Sequence, residues 1–252
     1  MQPIPLSEGA FTVDKTKVFV PFDTATEQLN TRPVGSMLVE IQPFAVITSK
    51  DILLFDTGLG HNDADGQMQL HNNLRKAGIE PNKVTKVLMS HLHKDHAGGV
   101  TLKNANGERF ISFPYATWYI QRREFEFATG AGSASYIPED FRLLEDFSRV
   151  AWLDEDEGLI DGYIRYQLTG AHSKFHQVFW VEEQGEKIFF GGDVAPQLQQ
   201  MKSRFIAKYD YDGKKCMELR QQWWEEGEKE GWTFLFYHDI KTPVGKNQES
   251  YK

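Results

Sequence analysis

Ser90-His91-Leu92-His93-Lys94-Asp95-His96-Ala97-Gly98-Gly99 is the stretch that decides how the rest of this chain is read. It follows directly on residues 84–89, an apolar run whose composition predicts a β-strand. In extended backbone, side chains two apart point the same way, so His91 and His93 can reach one ion together. Asp95 and His96, just beyond the strand, can turn toward a second ion nearby. Imidazole nitrogens with a carboxylate oxygen suit zinc or another borderline divalent ion. Ala97, Gly98 and Gly99 let backbone pass close to such a site, at a helix start. Surface histidines in a turn are the plain alternative. With only 8 His in 252 residues, however, composition does not produce this spacing by accident.

One loop cannot close a site for two ions, so further ligands are expected at the ends of other strands. His172 follows the strand-like residues 163–168 in Thr169-Gly170-Ala171-His172-Ser173. Asp193 follows residues 187–190 in Gly191-Gly192-Asp193, and His238 follows residues 233–237 in Phe236-Tyr237-His238-Asp239. Singly, each is explained by a turn or a half-exposed polar residue. As a set with the first cluster, they point to one metal site.

Outward from these motifs, the apolar runs are mostly short and β-like, among them residues 37–41, 46–48, 52–55, 110–113 and 178–181. Helices are predicted at residues 70–77, ending at Gly78, at 138–147, opening with Pro-Glu-Asp, and at 213–230, with Cys216, Leu219 and Trp223 on one stripe. Strands and helices alternate irregularly, often as paired strands, which suits stacked layers better than a doubly wound parallel sheet. No repeat, low-complexity segment or Pro/Gly/Ser-rich linker divides the chain, so a single domain over 1–252 is expected. Residues 2–34, extended and Pro-containing, leave open whether they pack on their own domain or on a second copy in a homodimer.

Composition narrows the function. Hydrophobic residues make up 40% and charged ones 25%, the balance of a folded globular chain. The net charge of −8 weighs against a nucleic-acid partner, which needs a basic surface. No apolar run nears the roughly twenty residues of a membrane span, so no membrane association is expected. Cys216 is the single cysteine and no secretory signal is legible at the start, so a cytoplasmic location is expected.

With these residues in hand, the chain resembles the metallo-β-lactamase-fold superfamily. Phe55-Asp56-Thr57-Gly58 matches the early Asp-Thr-Gly-type motif, and His91/His93/Asp95/His96, His172, Asp193 and His238 follow in family order. The resemblance implies an α/β (α+β) fold, a four-layer αβ/βα sandwich with the metals at one edge between two sheets. It implies two divalent ions, zinc by default with manganese, cobalt or iron as alternatives. His91, His93 and His172 would hold the first, Asp95, His96 and His238 the second, and Asp193 would bridge them. Asp56 would orient a ligand from behind. Within the superfamily the likeness is greatest to the lactonase and organophosphate-hydrolase-like branch. The chain departs from it at Pro196, where quorum-quenching lactonases carry a Tyr, at Ala171-His172-Ser173 in place of Gly-His-Thr/Ser, and in ending soon after His238.

What the resemblance implies chemically is hydrolysis of a small ester, lactone or related molecule by a hydroxide bridging two ions, with Asp95 and Asp193 as catalytic carboxylates and Asp95 carrying the proton to the leaving group. A phosphodiesterase, phosphotriesterase or nuclease would use the same ions, a sulfur dioxygenase one iron, and a metal-stabilised binding domain no turnover at all. A β-lactamase is disfavoured, since Asp193 stands where those enzymes carry a zinc-ligand Cys. Tyr237 reads first as a buried strand-end tyrosine and second as an oxyanion donor. His176 reads as a surface histidine, Cys216 as core, and residues 221–230 as an amphipathic helix with a solvated acidic side. The Asn-, Asp- and Gly-rich residues 58–73, holding His61 and His71, read as a loop over the active site with Met68 and Leu70 beneath it.

Overall fold

Residues 52–55 are apolar at every position and all three residues of 86–88 are buried, and strands of that kind must be covered on both faces. The computed structural model, which describes residues 1–104 and 106–246, covers them with a second sheet on one side and helices on the other. Ala105 and residues 247–252 of the expected 1–252 unit lie outside the described residues.

The first sheet runs Gln2–Pro5, Phe44–Ile47, Ile52–Phe55, Lys86–Leu88, Thr117–Gln121 and Val150–Leu153 from edge to edge. Its last four strands are mutually parallel. The second runs Glu157–Ile160, Ile164–Leu168, Gln177–Glu183, Glu186–Phe190, Thr233–Leu235 and Val244–Lys246, antiparallel but for the Glu186–Phe190 and Thr233–Leu235 pair. Strand alternation sends Leu53, Phe55 and Leu88 inward against Phe179, Phe190 and Leu235 of the facing sheet. Their neighbours Leu54 and Val87 point outward onto Leu70, Leu74, Phe125 and Phe141 of the covering helices. Trp180 and Phe189 leave the second sheet on its far face, against Cys216 and Trp223 of the Gly213–Glu230 helix. Helices, sheet, sheet and helix make four layers. Each fully buried Leu or Phe in them contributes roughly 1.5–3 kcal/mol.

Gly213–Glu230 forms over the residues the sequence predicts, started by Asp212, which accepts from the Lys215 N–H at 3.0 Å, and ended by Gly231 at φ +69. Trp223 is buried and the acidic side is solvated, as expected. The expected 138–147 helix instead breaks after Pro138–Phe141, where Phe141 sits at φ −126, and continues as a single 3-10 turn, Arg142–Leu144. Phe141 and Leu144 still reach the core, so the apolar spacing survives the break. Residues 2–34 pack on their own chain through Gln2–Pro5, Gly9–Val13 and Phe19–Pro21; Gly9–Val13 joins Phe19–Pro21 to Met37–Ile41 in a three-stranded sheet. The short stretch after His238 also gains an unexpected strand, Val244–Lys246, beside Thr233–Leu235.

The strand ends nearest the His-rich loop are clamped by backbone contact. Thr57 donates its N–H to the His96 carbonyl at 2.7 Å and its hydroxyl to the same oxygen at 2.9 Å. A Cβ on Gly98 would lie 2.3 Å from the Leu59 carbonyl oxygen, and one on Gly99 2.1 Å from that of Thr57. Only glycine lets the two loops meet this closely. Glu8 holds the other end, accepting from the Leu59 N–H at 2.6 Å, while its second oxygen is buried without a hydrogen-bond partner. Among the described residues, no helix is long and apolar enough to cross a membrane.

Burial pushes the Glu8 carboxyl up to about 8 against the pull of the Leu59 and Gly60 N–H groups. The folded chain therefore keeps a proton that the unfolded chain releases above the ordinary value of 4.5. Stability contributed by this group is intact below 4.5 and is lost as pH rises to about 8. Glu8→Gln, which retains the acceptor, is expected to remove that slope and stabilise the protein by about 5 kcal/mol at pH 9, with little change near pH 4. Urea unfolding of both proteins across this range is the check; parallel curves would contradict it.

Candidate metal centre

The Lys86–Leu88 strand ends short of the motif, and residues 89–93 leave the sheet edge before the Lys94–Ala97 helix turns the chain back. That turn is tighter than the sequence suggests: the helix begins at Lys94, before the glycines rather than at them. It sends His91 and His93 one way and Asp95 and His96 another. His172 arrives from the loop after Ile164–Leu168, Asp193 from the turn after Glu186–Phe190, and His238 from beyond Thr233–Leu235. All seven residues singled out from the sequence converge, and they fall into two groups that share Asp193.

In the first group, His93 Nδ1 lies 2.9 Å from His91 Nε2 and 3.2 Å from His172 Nε2, and Asp193 Oδ2 lies 3.2 Å from His172 Nε2. In the second, His96 Nε2 and His238 Nε2 lie 3.1 and 3.0 Å from Asp193 Oδ1, and each is 3.6 Å from Asp95 Oδ2. The two oxygens of one carboxylate thus face different clusters.

The outward nitrogens explain why the inward ones carry lone pairs. His172 Nδ1 donates to Asp210 Oδ1 at 2.8 Å, and His238 Nδ1 to the Glu40 carbonyl at 2.7 Å. His96 Nδ1 donates to Asp56 Oδ2 at 2.7 Å. His91 Nδ1 donates to Ser90 Oγ at 3.0 Å, which in turn donates to Asp56 Oδ2 at 2.7 Å. With protons held on the outside, the inner nitrogens face one another as acceptors, an arrangement that a cation relieves. His96 Nε2 and Asp193 Oδ1 are buried with no hydrogen-bond partner, which fits a cation between them. The donors are all nitrogen and oxygen, the set that suits zinc and its borderline neighbours.

The electrostatics divide the histidines. Burial holds His91 and His93 well below the usual imidazole range, hence neutral and able to ligate. Burial opposes charge on His96 and His238 too, but Asp193 and Asp95 more than offset it and push both up. Burial would raise Asp193; the facing His238, His96 and His172 hold it well below the carboxylate range instead.

Other expectations divide. Asp56, fully buried, sits at φ +55, a left-handed conformation costing a non-glycine residue roughly 1–2 kcal/mol, and its carboxylate is taken up by Ser90 and His96. Tyr237 is the buried tyrosine its position suggests: its ring stacks on His96 at 4.1 Å and its hydroxyl donates to the Asp95 carbonyl at 2.6 Å. Cys216 is core. His176 is not on the surface; it is fully buried, and its Nε2 accepts the Asp193 N–H at 3.2 Å. Residues 58–73 do not cover the site, because Met68 and Leu70 anchor them into the outer core instead.

The site opens into a cavity of about 810 Å³ whose walls come from residues 13–19, 37–39, 127–136 and 196–211. Sequence reasoning missed Asp210, Glu40 and Glu124. Glu124 is buried and accepts from the Leu92 N–H at 3.1 Å, Tyr136 Oη at 3.2 Å and Ser173 Oγ at 3.3 Å, pinning both histidine loops. Asp210 offered a weak signal as one of two Asp in a lysine-rich turn.

A family model for the metallo-beta-lactamase superfamily matches residues 36–223. The N-acyl homoserine lactonase AttM of Azorhizobium caulinodans is 32% identical over 117 residues, 43% of this chain and 40% of that protein. AttM of Agrobacterium fabrum is 32% identical over 119 residues, 44% of this chain and 40% of the relative, so the match spans well under half of either. Among solved structures, a probable metal-dependent hydrolase from Staphylococcus aureus superposes with TM-score 0.79 at 22% identity, covering 97% of this chain and 91% of that one. AidC, a dizinc quorum-quenching lactonase in complex with a product, superposes with TM-score 0.71 at 20% identity, covering 97% and 89%. At these identities the likeness is one of fold.

Asp56→Ala is expected to weaken retention of a divalent ion about 10–100-fold, because His96 and, through Ser90, His91 lose their outer partner. Competition against a chromophoric zinc chelator measures this. Unchanged affinity would show that Asp56 does not orient the cluster.

Proposed function

The chain belongs to the metallo-beta-lactamase superfamily, and from that premise we propose that it is a metal-dependent hydrolase with a dinuclear centre, acting on a small ester or lactone. The observation that carries this is the division of the Asp193 carboxylate, Oδ2 toward His172 and Oδ1 toward His96 and His238. His91, His93, His172 and Asp193 would hold one ion, and Asp95, His96, His238 and Asp193 the other. When bound, two divalent ions supply a hydroxide nucleophile by lowering the pKa of water from about 15.7 to about 7, and they polarise the substrate carbonyl.

The chain's own residues do the rest. Asp95 lines the cavity, which supports its carboxylate as the group that carries a proton to the leaving oxygen. Asp210, Glu40 and Asp56 keep the imidazoles aimed inward, so that no reorganisation is needed on binding. Val13, Phe19, Val39 and Phe127 give the cavity apolar walls that strip water from an acyl chain. Likeness to the AttM lactonases supports a lactone or ester over other acyl compounds, and the dizinc neighbour supports zinc. Both sheets and their loops contribute ligands, which supports one domain over 1–252.

Elemental analysis is expected to find about two metal equivalents, with chelator-sensitive turnover of a lactone or aryl ester. The corresponding phosphotriester or phosphodiester is expected to be turned over more slowly. His238→Ala is expected to retain about one equivalent and lose at least about 100-fold in kcat/KM. Full activity with one equivalent, or no metal after reconstitution, would overturn the proposal.

A further inference from the structure

The chain is acidic, with 28 Lys and Arg against 36 Asp and Glu, yet the cavity wall is not. It carries Lys15, Lys17, Lys94, Lys174 and Lys208, no Arg and no Glu. Its three carboxylates are committed: Asp95 and Asp193 face the imidazoles, and Asp210 is hydrogen-bonded to His172. Lys86, Lys187 and Lys214 form ion pairs, and none of them is in this wall.

Two of the five stand out. Lys17 and Lys94 are half-buried, while Lys15, Lys174 and Lys208 are exposed. Lys94 Nζ lies 5.9 Å from the centre of the Phe19 ring, beside the apolar wall. Lys17 precedes Phe19 by two residues in the same stretch of the cavity wall, so both lysines belong to the part of the wall around that ring. Two partly desolvated like charges, with no carboxylate of their own, are stabilised by an anion between them. Random surface lysines would be solvated and spread over an acidic chain; these focus a positive field into the apolar cleft beside the reactive centre.

The geometry points to a substrate that carries an anionic group, seated between Lys17 and Lys94, on an otherwise apolar ester or lactone. This rests on the hydrolase reading above and names its substrate class. Lysine is a compact point charge rather than a planar fork, so the pair accepts a carboxylate or a phosphate monoester alike.

Three p-nitrophenyl esters of equal chain length test it on the metal-loaded protein: the hexanoate, the mono-adipate with its free carboxylate, and the phosphate ester of the 6-hydroxyhexanoate. At low salt, kcat/KM for at least one anionic ester is expected to exceed that of the hexanoate by about tenfold, mainly through KM. The preferred anion then names the group. Raising ionic strength to about 0.5 M is expected to shrink the ratio, since exposed charges are screened. Lys17→Gln, in a turn away from the metal loop, is expected to lower the ratio about tenfold at unchanged metal content; Lys94→Gln is the second variant. Equal rates for all three esters, or a ratio unmoved by Lys17→Gln, would overturn the proposal. Turnover of none would sink the hydrolase reading alone. Calorimetry with monomethyl and dimethyl adipate then decides the anion site. Tighter binding of the monoanion, lost in Lys17→Gln, upholds the site, and equal binding overturns it.

Discussion

The buried carboxylate of Asp56 is the constraint on which the rest depends. It accepts from the Ser90 N–H, the Ser90 hydroxyl and His96 Nδ1, each at 2.7 Å, and reaches His91 through the same hydroxyl. One side chain from the first sheet thereby fixes a histidine in each ligand group. Burial pushes Asp56 up, and the hydrogen bonds from His96 and Ser90 pull the other way, favouring the carboxylate. The left-handed backbone at Asp56 shows the same priority: local strain is accepted to aim the carboxylate.

The scaffold supplies what that clamp requires. Parallel strands of the first sheet bring Phe55 and Leu88 into register, so that the Asp56 turn and the His-rich loop leave the same sheet edge. The glycine contact between residues 57–60 and 98–99 then locks the two loops together without intervening side chains. Asp193 comes from the facing sheet, held by His176 through its own N–H. A site assembled from two sheets depends on how they pack. The aromatic interior between them, with Phe55 against Phe179 and Phe190, is therefore part of the site's precision as well as the chain's stability.

Much of this was legible in the sequence because the signals were strong and local. A His-x-His-x-Asp-His run after an apolar strand has few physical explanations, and His172, Asp193 and His238 each close a strand in the same way. Gly213–Glu230 announces itself by length and by the Cys216, Leu219 and Trp223 stripe. The misses share a different cause. His176 looks exposed because its partner, the Asp193 N–H, lies 17 residues away and leaves no local pattern. Asp210 and Glu40 act on histidines 38 and 198 residues distant, one of them through a backbone carbonyl that no side-chain pattern reveals. Thr117–Gln121 and Arg122–Gly130 were not anticipated because a strand runs straight into a helix, with Gln121 ending one and capping the other. The 58–73 loop has a lid's composition, but where it packs was decided by Met68 and Leu70.

The central claim is that Asp193 joins two ligand groups into one dinuclear centre. Crystals of the zinc-loaded protein, with diffraction data on both sides of the zinc edge, test it most directly. The account requires two anomalous peaks, one among His91, His93 and His172 and one among Asp95, His96 and His238, with Asp193 contacting both. A single peak, or two that do not share Asp193, would contradict it.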